Sequence, residues 1–178
     1  SLDNPRLGLI SQVAVNDGYI AVADWDTVYR RPLASIGSWD SFGTAQGLSG
    51  DRILSLALDA DNSLWIAYGN WDEEILSVST TKDTLLTRIS INGEVQSWEK
   101  NTAGLGNAPI NRFEIVSDTM FMASWGEGIY IKQGDIWINE QANSIGFPKI
   151  TQIATDENYA SWYASGNWGP DPVRKGTM

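Results

Sequence analysis

The sequence predicts an all-β fold of the β-propeller type, in which several four-stranded sheets, or blades, are arranged around a common axis. Three observations lead to this prediction. Apolar segments of strand length that begin with isoleucine recur at intervals of 43, 57 and 40 residues. Each is followed by a turn rich in Asn, Asp, Ser or Gly, and then by a second strand that ends close to a tryptophan. Such repeats are typical of propeller blades, whereas immunoglobulin-like sandwiches have no reason to repeat internally.

Each complete unit is expected to contain four short antiparallel strands joined by hairpin turns. The first strands are residues 10–15, 53–58, 110–115 and 150–155, and the second strands end near Trp25, Trp71, Trp125 and Trp168. Third strands are expected at 27–30, 84–90 and 128–132. The fourth strands carry Trp39, Trp98 and Trp137.

The repeats divide the chain into one propeller segment over residues 1–178. The blades are expected at about 8–43, 51–101 and 108–141, with a partial blade at 148–178. A closed ring needs roughly four to eight blades, and an open arc would leave unpaired strand edges. The chain therefore contains about 3.5 blades, which we expect to belong to a larger ring or to a ring that a protein partner completes.

One stretch carries a close match to a known repeat. Residues 47–67 contain Gly-Leu, a four-residue spacer, an apolar strand, Asp59 and then Leu-Trp-Ile-Ala. This pattern resembles the two-component regulator propeller repeat. The third unit shares the Gly-Leu at 104–105 but has Met-Phe-Met-Ala at 120–123, and the first and fourth units lack the Gly-Leu.

The resemblance implies a propeller in an extracytoplasmic setting, ahead of a membrane-spanning sensor kinase, and a ligand that is often derived from a glycan. Propellers with similar repeats also occur as accessory proteins of the type IX secretion pathway and in streptogramin lyase. Because one fold hosts many functions, the resemblance does not choose among these.

Composition excludes several classes of function. The formal net charge is −10, with 22 acidic and 12 basic residues, which disfavours nucleic acid and anionic membrane surfaces as partners. The chain has no Cys, so it forms no disulfide, and no apolar run approaches the roughly 18–20 residues of a membrane-spanning helix. It also has no His, which excludes a Ser-His-acid triad and a His-ligated zinc site. We expect no cofactor, no metal, no membrane insertion in this segment and no enzymatic activity.

The candidate ligand site is the set of tryptophans and acidic residues that follow the second strands. Equivalent positions of stacked blades fall on the same face of the ring, where aromatic rings could stack on a sugar and carboxylates could accept from its hydroxyls. The alternative is that the tryptophans pack between blades and the carboxylates cap turns, which would also explain why the set recurs. Its members are Trp25, Asp26, Trp71, Asp72, Glu73, Trp125, Glu127, Trp168 and Asp171.

The other conspicuous residues have structural interpretations. Trp65 and Trp162 lie in the middle of strands and are expected in the core, and the fourth-strand tryptophans are expected to cover blade edges. The turn that begins at Asp59 lacks the Gly and the distal Glu of a twelve-residue calcium loop, so a hairpin turn is expected. The polar insertion at 72–83 is longer than a hairpin requires and is the alternative place for a site.

The function predicted from the sequence is a non-catalytic, periplasmic or extracellular module of an exported bacterial protein that senses or binds a small molecule or glycan. One alternative is a scaffold or accessory propeller in a secretion or surface assembly. Another is a propeller lyase or glycosidase with paired carboxylates, for which Glu73, Glu74 and Glu127 are the candidates.

Overall fold

The computed structural model describes residues 10–72, 77–116, 119–140, 150–155 and 161–165. Within these ranges the chain forms β-strands and the turns between them, with one short 3₁₀ turn at Thr44–Gln46. The predicted all-β propeller fold is confirmed: three four-stranded antiparallel sheets follow one another, and a two-stranded sheet follows the third.

The first blade consists of four strands in sequence order. They are β1 (Gln12–Val15), β2 (Tyr19–Ala23), β3 (Val28–Pro32) and β4 (Asp40–Phe42). The turn between β1 and β2 is closed by the side chain of Asn16, whose Oδ1 accepts from the N–H groups of Gly18 and Tyr19 at 3.0 and 2.8 Å. This is the local hydrogen bonding that makes Asn a frequent turn residue.

The second blade is interrupted by an extra hairpin. Its first two strands are β5 (Ile53–Leu58) and β6 (Leu64–Tyr68). The chain then forms β7 (Asn70–Asp72) and β8 (Ser77–Ser79), which pair with each other in a separate sheet. The blade is completed by β9 (Thr84–Ile89) and β10 (Val95–Glu99). The insertion predicted as an irregular loop thus contains a short hairpin.

The third blade and the hairpin after it repeat the same order of strands. The third blade contains β11 (Ile110–Val116), β12 (Thr119–Ser124), β13 (Ile129–Gln133) and β14 (Ile136–Glu140). The hairpin contains β15 (Ile150–Thr155) and β16 (Ser161–Ser165).

A β-bulge recurs at one position of the repeat. The register of the first strand shifts just after its leading isoleucine, between Ile53 and Ser55, between Ile110 and Arg112, and between Ile150 and Gln152. A bulge bends a strand and increases its twist. The repeat therefore preserves a backbone irregularity as well as an apolar pattern.

The middle blade is buried on both faces. All five residues of β6 are buried. Leu64, Ile66 and Tyr68 pack in a cluster with the first blade, and Trp65 and Ala67 pack in a cluster with the third. A strand between two layers is apolar on both faces, and this explains the unbroken Leu-Trp-Ile-Ala-Tyr run.

The blades meet at two junctions, which we call the first junction (first and second blades) and the second junction (second and third blades). The first is filled mainly by aliphatic side chains, and the second contains three tryptophans. A smaller cluster of Ala123, Ile129 and Ile153 joins the third blade to β15. Among the described residues, no helix has the length and apolar character that a membrane-spanning segment needs.

Candidate functional site

The strand register shows that Arg30 and Arg88 are equivalent residues of neighbouring blades. Arg30 of β3 lies opposite Ala21 of β2, and Arg88 of β9 lies opposite Trp65 of β6. Ala21 and Trp65 both lie on the face directed at the following blade. Each arginine is therefore placed to reach across a junction, and only the first one does so.

Arg30 fills the first junction. Its side chain is 2% exposed, and its guanidinium carbon lies 5.8 Å from the ring centroid of Tyr19 and 5.2 Å from that of Phe42. Burial lowers the pKa of the guanidinium, and the nearby Asp40 partly opposes this effect. Across the junction, its Nη atoms donate at 3.0–3.4 Å to the backbone carbonyls of Asn62, Ile89, Ser90 and Ile91.

Arg88 instead remains on its own blade. Its Nη2 donates to Ser63 Oγ at 2.7 Å, and its Nε lies 3.9 Å from Asp59 Oδ2. The guanidinium carbon lies 5.7 Å from the ring centroid of Trp65. In the first junction the small side chain of Ala21 leaves room for the arginine to cross, whereas Trp65 takes up that room in the second.

The second junction consequently holds an open cavity of about 360 Å³. This volume lies within the range of roughly 300–1,000 Å³ that is usual for small-molecule sites. The wall contains two tryptophans and polar groups of both charges. The second blade contributes Asp59, Asp61, Trp65, Arg88, Gln96 and Trp98, and the third contributes Ile115, Met120, Lys132 and Asp135.

The two tryptophans of the cavity wall pack against a third, Trp137. The rings of Trp65 and Trp98 are stacked, with centroids 5.3 Å apart and planes inclined by 22°. Trp137 meets both edge-on, at 5.8 and 6.2 Å. The three side chains are 2%, 7% and 3% exposed, respectively. Aromatic pairs in these geometries are stabilising, so the wall is held in place without a ligand.

Asp59 connects the tryptophan wall to the turn between β5 and β6. Its Oδ2 accepts from Trp65 Nε1 at 2.8 Å, and its Oδ1 accepts from the N–H of Ser63 at 2.8 Å. Asn62 takes the left-handed conformation that this turn needs, with φ of 60°. The turn is the hairpin turn expected from the sequence, and its first carboxylate orients Trp65 and Arg88.

The cavity contains donors and acceptors in close proximity. Asp61 and Asp135 are exposed residues of the β5–β6 and β13–β14 turns. Lys132 Nζ lies 5.8 Å from the ring centroid of Trp65 and donates to Gly134 O. With the Asp59–Arg88 pair, the wall has three carboxylates and two cations.

The described members of the predicted tryptophan and acid set lie at the opposite end of the blades, after the second strands. Trp25 is 50% exposed, and the guanidinium carbon of Arg52 lies 3.9 Å from its ring centroid. Asp26 is exposed and accepts from Thr27 Oγ1 at 2.9 Å. Trp25 is therefore a surface aromatic that a cation already covers on one side.

Glu127 holds the third-blade turn against the preceding loop. Its carboxylate accepts from the N–H groups of Asn107 and Ala108 at 2.9 and 3.1 Å, and from Tyr130 Oη at 2.6 Å. Burial alone would raise the pKa of Glu127, but the hydrogen bonds from Tyr130 and the two N–H groups outweigh it and lower the pKa. Burial and the bond to Glu127 raise the pKa of Tyr130 to about 12. The carboxylate is thus engaged in capping a turn.

The remaining predicted site residues are placed in part. Trp125 is half-buried, and its backbone N–H donates to Pro109 O at 2.8 Å. Trp71 and Asp72 lie in β7, of which the backbone is described. Glu73, Trp168 and Asp171 lie outside the described residues. The described side chains Trp25, Asp26 and Glu127 each make a separate local contact.

The insertion is anchored at its end by a buried carboxylate. Asp51 is 3% exposed and accepts from the N–H groups of Thr81 and Lys82 at 3.1 and 3.0 Å. It also accepts from Thr81 Oγ1, and from Asn70 Nδ2 at 3.3 Å. These bonds fix the point at which the insertion rejoins the blade.

The sequence does not reveal the cavity, since its pattern predicts Trp65 in the core and Trp98 at a blade edge. Both tryptophans are indeed buried, so the core prediction for Trp65 is confirmed, yet both also line the cavity. The available signal was the change from Ala21 to Trp65 beside an arginine that occurs in both blades. Only the strand register shows that these two residues occupy equivalent positions beside the two arginines.

No family profile and no curated sequence matches the chain. Among solved structures, the chain is similar to PorZ of Porphyromonas gingivalis, described as an essential bacterial surface component of the type IX secretion system. The identity is 16%, the TM-score is 0.55, and the match covers 86% of this chain and 19% of PorZ.

Two further structures show weaker likeness. One is the extracellular domain of a two-component system protein from B. thetaiotaomicron, with 14% identity and a TM-score of 0.44 over 88% of this chain and 26% of that one. The other is virginiamycin B lyase of Staphylococcus aureus, with 11% identity and a TM-score of 0.45 over 86% of this chain and 62% of the lyase. The chain spans about a fifth of the length of PorZ, and at 16% identity that likeness shows a shared propeller fold.

Proposed function

We propose that the chain is part of an extracytoplasmic β-propeller that acts as a non-catalytic binding module, and that its ligand is a carbohydrate held in the second junction. One observation carries the proposal. The junction that Arg30 fills between the first two blades is open between the next two, where tryptophans and hydrogen-bonding groups line a cavity of about 360 Å³.

Carbohydrate suits this wall because hydroxyl groups both donate and accept hydrogen bonds. The carboxylates can accept from them, Arg88 and Lys132 can donate to them, and Gln96 can do both. Trp98 offers an apolar surface for the C–H faces of a sugar ring. A ligand with only one kind of polar group would leave half of this wall without a partner.

The non-catalytic part of the proposal rests on the chemistry of the carboxylates. Asp59 is engaged by Trp65 and Ser63, and Glu127 by Tyr130 and two backbone N–H groups. A glycosidase needs one carboxyl group that gives up a proton and a second that attacks or activates water. The lowered pKa of Glu127 is the reverse of what a general acid requires.

The extracytoplasmic setting is supported by the repeat at residues 47–67, which resembles that of extracytoplasmic sensor proteins. A scaffold in a secretion or surface assembly is the second candidate. The likeness in fold to PorZ, which is described as a bacterial surface component, favours this alternative. A scaffold would need a protein partner and would have no use for the cavity.

The proposal is tested by titrating the chain with a panel of oligosaccharides while following tryptophan fluorescence and the thermal midpoint. We expect at least one sugar to raise the midpoint, and Gln96→Ala to weaken its binding at least about fivefold through loss of a hydrogen-bonding partner. Trp25→Ala, at the opposite end of the blades, is the matched control and should bind as the unmodified chain does.

Two outcomes would contradict the proposal. Loss of sugar binding in Trp25→Ala but not in Gln96→Ala would move the site to the opposite end of the blades. Absence of any sugar effect, together with capture of one defined protein partner, would favour the scaffold.

A further inference from the structure

The charge of the cavity wall points to the kind of sugar that it accepts. Asp59 and Arg88 largely neutralise each other, since the Arg88 Nε lies 3.9 Å from the carboxylate and the same carboxylate also accepts from Trp65. The charges that remain are those of Asp61, Asp135 and Lys132. The wall therefore carries a net charge of about −1, on a chain whose net charge is −10.

The two unpaired carboxylates belong to separate turns of separate blades. Asp61 lies in the β5–β6 turn of the second blade, and Asp135 lies in the β13–β14 turn of the third. Both residues are exposed, and both turns border the cavity. A ligand that enters from solvent must pass close to these carboxylates, where a negative charge on the ligand is repelled.

Lys132, the cation on the third blade, offsets the charge of the two carboxylates only in part. Lys132 Nζ donates to Gly134 O and lies 5.8 Å from the ring centroid of Trp65, so part of its hydrogen-bonding capacity is already used. The charge of Arg88 is largely offset by Asp59, and its Nη2 already donates to Ser63 Oγ. Neither cation is placed as a free clamp for a carboxylate or sulfate on the ligand.

We infer that the cavity in the second junction selects uncharged carbohydrates and discriminates against acidic ones, and that Asp61 and Asp135 are the residues that determine this selectivity. The inference rests on the proposed function, because it concerns the same cavity. Uronic acids and sulfated sugars are disfavoured, although hydroxyl groups of the same sugars would fit the donors and acceptors of the wall.

The test compares matched pairs of ligands that differ in one carboxylate. Methyl glycosides of the gluco, galacto and manno series, and the corresponding uronates, are titrated into the chain while tryptophan fluorescence is followed. We expect the neutral glycoside of at least one series to bind at least about tenfold more tightly than its uronate, which corresponds to about 1.4 kcal/mol. Added salt should narrow the difference, because it screens charges near the surface.

Two double variants with the same change in net charge test whether Asp61 and Asp135 determine the discrimination between neutral and acidic sugars. Asp61→Asn with Asp135→Asn should reduce the discrimination to less than about threefold by removing both carboxylates from the rim. Asp26→Asn with Glu99→Gln removes two exposed carboxylates elsewhere on the chain and should leave the discrimination unchanged.

The outcomes separate this inference from the proposed function. Binding of neutral and acidic glycosides with equal affinity, or preference for the acidic ones, would overturn the inference and leave the cavity as a carbohydrate site. An equal loss of discrimination in both double variants would overturn the role of Asp61 and Asp135. If neither these glycosides nor any oligosaccharide of the panel binds, the proposed function fails and the inference fails with it.

Discussion

The Arg88 guanidinium lies beside the carboxylate of Asp59, with Nε and Oδ2 3.9 Å apart, and both residues belong to the second blade. The guanidinium of the equivalent Arg30 in the first blade instead crosses to four carbonyls of the next blade. One repeat position thus serves two purposes. It joins two blades at the first junction and leaves a cavity at the second.

This difference predicts unequal costs for the same substitution. Arg30→Ala should lower the free energy of unfolding by about 3 kcal/mol or more, because it removes the guanidinium donor from four backbone carbonyls and empties a buried site. Arg88→Ala should cost about 1 kcal/mol, because its ion pair is partly exposed to solvent. Urea denaturation of the two variants makes the comparison, and equal losses would show that Arg30 does not join the blades.

A second prediction concerns the hydrogen bond between Asp59 and the indole N–H of Trp65. Asp59→Ala removes the acceptor of the buried Trp65 indole N–H and of the Ser63 N–H, and should lower the free energy of unfolding by about 2 kcal/mol. The fluorescence spectrum should shift as Trp65 loses its partner. Asp61→Ala, in the same turn but exposed, is the control and should change stability by no more than about 0.5 kcal/mol.

If the two variants were equally stable, the Asp59 carboxylate would contribute nothing to the turn. A loss of stability in Asp61→Ala alone would mean that the roles of the two carboxylates are exchanged.

The fold could be predicted from the sequence because every blade must solve the same packing problem. The strands led by Ile53, Ile110 and Ile150 repeat one apolar pattern, and this recurrence is enough to locate the blades in the sequence. In the structure the same three strands also share a bulge. The double-sided burial of β6 also follows from its unbroken apolar run.

The cavity could not be predicted because it depends on where two side chains go. The sequence shows an arginine in β3 and another in β9, but not that one crosses a junction while the other folds back. That outcome depends on Trp65 standing where the first blade has Ala21, on a face that only the strand register defines.

For the tryptophan and acid set, the sequence predicts a regularity that the side-chain environments do not share. Its members recur at regular positions of the repeat, yet the Trp25 ring is exposed and contacts Arg52. The Glu127 carboxylate instead accepts from three donors, one on its own blade and two in the preceding loop. Equal spacing along the chain therefore does not imply equal environments.

The Glu127–Tyr130 contact predicts a dependence of stability on pH at both ends of the scale. The pKa of Glu127 is lowered in the folded state, so its contribution is present above the ordinary carboxyl pKa and is lost as the pH falls through the folded value. Glu127→Gln should therefore be less stable than the unmodified chain at pH 7, by about 1 kcal/mol, and the difference should shrink in acid.

At the alkaline end, the pKa of Tyr130 is raised to about 12. Its contribution is fully present below the ordinary tyrosine pKa and is lost as the pH rises through the folded value. Tyr130→Phe should remove one late-ionising tyrosine from an ultraviolet titration. A titration in which the variant retains the same number of late-ionising groups would contradict the assignment.

Gly104 and Gly93 provide a last comparison, because they have nearly the same backbone conformation in different surroundings. Their φ angles are 87° and 85°, a region that L-residues with a side chain rarely adopt. A Cβ at Gly93 would meet no atom within 4 Å, whereas a Cβ at Gly104 would collide with the backbone carbonyl of Trp137. That carbonyl cannot move freely, because the N–H of Trp137 donates to Ala103 O at 2.8 Å.

Gly93→Ala should therefore cost about 1 kcal/mol, the cost of the left-handed conformation alone. Gly104→Ala carries the same conformational cost and in addition pushes the loop away from β14, so we expect a loss of about 3 kcal/mol or more. The thermal midpoints of the two variants distinguish the cost of the backbone conformation from the cost of the collision with Trp137. Because Trp137 is the edge-on partner of both Trp65 and Trp98, Gly104→Ala should also weaken sugar binding, and Gly93→Ala should not. Equal midpoints for the two variants would show that the loop before β11 is free to move away from Trp137.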